Sequence, residues 1–93
     1  MSTTSQINEL DILKDVIAAD ESGFSPELAR AILTWKFSHR TVSRMNELAD
    51  LNRDGTISDS ELEELQKYLR VGGLVNLLQA KARLSLRDSG QPT

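Results

Sequence analysis

The sequence predicts an all-α fold of four to five short helices around a central helix–loop–helix hairpin. Three observations carry that prediction. Apolar residues recur at steps of three and four along most of the 93 residues. Serine-based helix starts precede two of those runs, at Ser25-Pro26 and at Ser58 with Glu61 three places on. No stretch shows the strict two-residue alternation of a half-buried strand.

Taken in order, Ile7, Leu10, Leu13, Val16 and Ile17 define a first amphipathic helix over 7–20, which Asp20-Glu21-Ser22-Gly23 ends. Ser25-Pro26-Glu27 opens a second, with serine as cap and proline at the first helical position, where its missing N–H costs nothing. Leu28, Ala31, Ile32 and Trp35 form its apolar stripe, and Trp35 and Phe37 are expected in the core. Ser38 or Thr41 caps a third helix, with Val42, Met45, Leu48 and Ala49 along one face; a polar turn with Gly55 follows. Ser58-Asp59-Ser60-Glu61 starts a fourth, with Leu62, Leu65 and Leu69 inward. Gly72-Gly73 reads as a break or kink before a last helix over 74–86, which presents Leu74, Leu77, Leu78, Ala82 and Leu84. The expected organisation is a disordered 1–6, a single helical domain over 7–87 with its hairpin at 39–70, and a frayed tail at 88–93.

Composition narrows the function. The chain has no cysteine, which removes disulfides, thiolate zinc sites and cysteine nucleophiles. Its single histidine, His39, excludes a multi-histidine metal site within one chain. A net charge of −3 argues against a general nucleic-acid binder. No apolar run reaches the ~20 residues that span a bilayer, and the opening Met1-Ser-Thr-Thr-Ser-Gln6 lacks the basic flank and apolar stretch of a signal peptide. The expected location is therefore cytoplasmic, without membrane contact. Charge is distributed in blocks: −4 over residues 1–30, +3 over 31–44, −6 over 45–66 and +4 over 67–93. An acidic centre between basic stretches fits a cation site or helices that attract one another.

One stretch carries recognisable chemistry. Residues 50–61, Asp-Leu-Asn-Arg-Asp-Gly-Thr-Ile-Ser-Asp-Ser-Glu, match the twelve-residue EF-hand calcium loop at every defined position. Calcium seeks six to eight oxygens at about 2.3–2.6 Å. Asp50, Asn52 and Asp54 are placed to supply side-chain oxygens, Thr56 its carbonyl, Ser58 a direct or water-mediated contact, and Glu61 both carboxylate oxygens. Gly55 takes the positive-φ turn, and Ile57 stands where a β-branched residue packs between paired loops. The same residues also make a good helix stop and a good helix start, so a metal-free hairpin uses them equally well. No second loop is present in the sequence, and an unpaired one is expected to bind weakly, on the order of 10⁻⁵–10⁻³ M.

Asp50-Leu-Asn-Arg-Asp-Gly-Thr-Ile-Ser58, followed by a leucine-rich helix ending Tyr68-Leu69-Arg70, resembles half of a dockerin, a module that carries two calcium segments and binds cohesins. Here the second segment is missing, and the twelfth position is glutamate where dockerins usually have aspartate. A wider resemblance covers residues 25–87. Ser25-Pro-Glu-Leu-Ala-Arg-Ala-Ile-Leu33, Met45-Asn-Glu-Leu-Ala49 and, most specifically, Tyr68-Leu-Arg-Val-Gly-Gly-Leu-Val-Asn-Leu-Leu-Gln-Ala-Lys-Ala-Arg-Leu84 resemble a group of small uncharacterised bacterial all-helical proteins, often encoded beside HNH-type endonucleases. That resemblance implies a partner or antitoxin-like role. Many of its members carry a similar central turn with fewer acidic ligands.

An enzyme is not expected. His39 stands alone, no nucleophile elbow or phosphate loop is present, and Glu63 and Glu64 read as a solvated face. The basic last helix, with Lys81, Arg83 and Arg87, is expected to pack on the acidic central hairpin, and its surplus leucines to drive association with itself or a protein partner. Two functions follow: a calcium-binding EF-hand-like interaction module, or a metal-independent interaction or antitoxin-like companion of an HNH-type endonuclease.

Overall fold

The computed structural model describes residues 8–88. Among them the chain forms four helices and no strand: α1 (Glu9–Ala19), α2 (Pro26–Ile32), α3 (His39–Asp54) and α4 (Asp59–Asp88). The expectations for residues 1–7 and 89–93 lie outside the described residues. The chain divides into two compact units. One comprises residues 8–35 and 73–88, the other Lys36–Gly72.

In the first unit, α1 starts on a reciprocal cap. The Asp11 N–H donates to Asn8 Oδ1 at 3.1 Å, and the Asn8 N–H donates to Asp11 Oδ2 at 3.3 Å. α2 starts as its sequence predicts, with Ser25 Oγ accepting from the Leu28 N–H at 3.2 Å and Pro26 at the first position. The core is small: Ala29 and Ile32 of α2 against Ala82 and Leu86 of α4, flanked by Phe24, Leu33 and Leu78. Three side chains of α4 tie the shorter helices to it. Gln79 Nε2 donates to the carbonyls of Ile32 (3.1 Å) and Trp35 (2.8 Å), closing the end of α2. Lys81 does the same for α1 through Ile17 and Asp20. Ser85 Oγ accepts from the Phe24 N–H at 2.9 Å.

The second unit is a hairpin of α3 and the first half of α4. Ser38, not Thr41, caps α3, its Oγ accepting from the Thr41 N–H at 3.1 Å. Leu48 and Leu65 are buried. Phe37 packs edge-on against Tyr68, centroids 6.4 Å apart. Arg44 grips Glu64 with two parallel bonds of 2.9 Å, and Tyr68 donates to the same carboxylate at 3.2 Å.

Several expectations need correction. Gly72-Gly73 neither breaks the chain nor starts a new helix, because α4 runs through both. Neither glycine is required by a close approach: a Cβ at Gly72 would stand 3.6 Å from the Phe37 ring and one at Gly73 would stand 3.4 Å from Lys14 Nζ, both ordinary contacts. Glu64 is not a solvated carboxylate but half of the clamp on Arg44. Trp35 is not in the core, being 48% exposed, and the α2 stripe turns on Ala29 and Ile32 rather than Leu28 and Ala31. Val42, Ala49, Leu69 and Leu84 also face solvent. Lys81, in the basic end of α4, finds its counter-charge on Asp20. The exposure of these apolar side chains follows from size, since so short a chain buries few of them.

Candidate functional site

Residues 50–61 are the natural starting point. Asp50, Asn52 and Asp54 all lie within α3. At a helical pitch of 3.6 residues, Asp50 and Asp54 share a face, while Asn52 points to the opposite side. The helix stops on Gly55, whose φ of 75° is left-handed, with the Thr56 N–H donating back to the Leu51 carbonyl at 3.0 Å and the Gly55 N–H to Asn52 at 3.2 Å. This is a Schellman-type end, and it satisfies the carbonyls that a helix terminus leaves open.

α4 begins four residues later on a complete capping box. Ser58 Oγ accepts from the Glu61 N–H at 3.1 Å, and Glu61 Oε1 accepts from the Ser58 N–H at 2.9 Å. Those bonds hold the Glu61 carboxyl below its ordinary value, the Ser58 backbone N–H being the largest cause. Asp50 pairs with Arg53 at 2.5 Å, and the Thr56 hydroxyl turns toward the Leu51 carbonyl at 3.5 Å. The six calcium-ligand candidates Asp50, Asn52, Asp54, Thr56, Ser58 and Glu61 thus lie in sequence order along a helix end, a turn and a helix start. Among the described residues, no group of three or more His, Asp or Glu side chains is placed to hold a metal ion.

The hairpin's electrostatics are structural. Arg44 is held above its ordinary pKa, first by its hydrogen bonds to Glu64 and then by Glu47 at 3.0 Å. Glu64 is correspondingly lowered, with Arg44 the leading cause. His39, the first residue of α3, is exposed.

The first unit contains a cleft of about 360 Å³, lined by Asp20, Ser22, Phe24, Lys81, Leu84 and Ser85 among others. Lys81 is only 14% exposed and its three protons are engaged: by the Ile17 carbonyl at 3.2 Å, the Asp20 carbonyl, and the Asp20 carboxylate at 3.1 Å. The cleft therefore presents no cation to a ligand. It is a by-product of how α1 is tied down.

The feature that sequence reading missed is the outer side of α1. No residue of this helix is fully buried. Leu10, Lys14 and Ile17 face inward and are half-buried, while Ile12, Leu13 and Val16 are 57%, 44% and 59% exposed. The stripe drawn through Leu10, Leu13, Val16 and Ile17 leaves out Ile12. Ile12 is the residue that shows the helix to be apolar on two sides.

Compared with family models, with curated proteins and with solved structures, the chain shows no match.

Proposed function

We propose that this chain is a non-catalytic protein-interaction module, in which residues 50–61 serve as a metal-independent corner between two helices. The observation that carries the reading is the outer face of α1, where Ile12, Leu13 and Val16 stand together in solvent. A contiguous apolar face on so small a protein is the mark of a surface meant to be covered. The companion role implied by the resemblance to proteins encoded beside nucleases is one form of this reading. No described helix is long and apolar enough to cross a membrane.

A photo-crosslinking residue at Ile12, with a second at Glu63 as control, tests the reading in the producing cell. A discrete protein adduct at position 12 and none at 63 is the expected result. Absence of any adduct at 12 overturns it. Co-purification with the product of an adjacent nuclease gene examines the companion role separately.

A second reading retains calcium, and the completeness of the loop pattern favours it. It requires the last turn of α3 to unwind and Glu61 to leave the Ser58 N–H, so that the ion competes with both caps. Of the two, the metal-free corner agrees with every hydrogen bond in the turn.

A further inference from the structure

Two exposed faces in the first unit have the same spacing and opposite charge. On α1, Glu9, Ile12, Leu13 and Val16 follow the i, i+3, i+4, i+7 pattern of one helix side, and all four are exposed. Asp15, also exposed, flanks them. On α4, Ala80, Arg83, Leu84 and Arg87 follow the same pattern and are likewise exposed. Leu84 is 47% exposed, and Arg87 is 74% exposed with only a 4.0 Å approach to Asp88. Each face covers two helical turns.

We propose that these faces meet in a second copy of the chain, α1 of each protomer lying antiparallel on α4 of its partner. This names the partner for the interaction reading above and rests on it. Charge fixes the direction. Antiparallel alignment sets Glu9 against Arg87, Ile12 against Leu84, Leu13 against the aliphatic stem of Arg83, and Val16 over the small Ala80. Parallel alignment sets Arg87 beside Val16 and leaves Glu9 against alanine. Both faces belong to one compact unit, so each protomer offers one acidic and one basic face and a two-fold axis uses each contact twice. Doubling matters, because one helix pair falls short of the ~1,200 Å² that a specific interface buries.

Sedimentation velocity on the full chain from 1 to ~100 μM tests the proposal. The expected result is a concentration-dependent dimer. Glu9→Lys and Arg87→Glu should each weaken it about tenfold or more, and the double reversal should restore most of the loss. Ile12→Glu should give a monomer; the two charge variants alter only exposed side chains and keep the test valid even if this one misfolds. A parent chain monomeric throughout overturns the proposal, as does a dimer that ignores both reversals. Failure here is distinguishable from failure of the interaction reading: a monomer whose position 12 crosslinks to a different protein refutes the self-dimer and leaves the interaction standing.

Discussion

Lys81 closes the C-terminal end of α1 by meeting Asp20 twice, at its carboxylate (3.1 Å) and at its backbone carbonyl. α1 has no basic residue in its own last turn, so the cation that a helix C-terminus favours comes from α4. The ammonium also lies 5.8 Å from the centre of the Phe24 ring. Lys81→Met keeps the aliphatic stem and removes every one of these contacts. Leaving helix-end carbonyls without their donor should cost about 1–3 kcal/mol. At ~4–8 °C per kcal/mol for a chain of this size, thermal melting should register it plainly. A variant that melts with the parent contradicts the role assigned to Lys81.

The continuity of α4 makes an unusual prediction at its two glycines. If the helix runs through them, alanine adds helix propensity of about 0.5–1 kcal/mol at each position. The new methyl at 72 makes an ordinary contact with Phe37, and the one at 73 meets only the flexible end of Lys14. Gly72→Ala and Gly73→Ala should therefore both raise the melting temperature. A fall at either position indicates a break that alanine cannot adopt.

Gly55 behaves oppositely. Nothing lies within 4 Å of a Cβ built there, yet its φ is 75°. Gly55→Ala should destabilise by about 1 kcal/mol through backbone strain alone, and Gly55→Asn by less, since asparagine tolerates the left-handed region. Equal melting of parent and alanine variant would rule out the left-handed helix end.

Acid should weaken each unit in a defined direction. Glu61 and Glu64 titrate lower in the folded chain than their ordinary 4.5, the first chiefly through the Ser58 N–H and the second through Arg44. Asp20 is lowered from 3.8, by Ser22 first and Lys81 next. The unfolded chain therefore binds more protons in this range. The stability these carboxylates contribute is present above about pH 4.5 and is lost as pH falls through their folded values. Glu64→Gln should flatten the acid limb of a melting-temperature profile between pH 5 and 3; an unchanged limb would show that the Arg44 clamp does not shift this carboxyl.

The local signals were legible and the distant ones were not. Ser25, Ser58 with Glu61, and Gly55 act within three to five residues, so their spacing alone places the helix ends. Lys81 to Ile17 and Gln79 to Ile32 join residues 64 and 47 apart, and no local pattern announces such a pairing. Gly72-Gly73 looks like a stop because glycine propensity is weighed without its surroundings, whereas α4 runs on through Leu69-Arg70 before the pair and Leu77-Leu78-Gln79-Ala80 after it. The loop at 50–61 was ambiguous for a chemical reason. Acids spaced for a calcium cage are also tolerated in a helix's last turn, where Arg53 sits three residues from Asp50 and pairs with it. Ile12 was the available clue to the outer face of α1, since it breaks the single stripe.

The central claim, a metal-independent corner at 50–61, is tested most directly by backbone NMR of the full chain with and without millimolar calcium. Helical Cα shifts from Asp50 through Asp54, with the amides of 50–61 unmoved by calcium, are the predicted result. Non-helical shifts at Asp50–Asp54, or saturable calcium-dependent movement of the Gly55 and Glu61 amides, would contradict it.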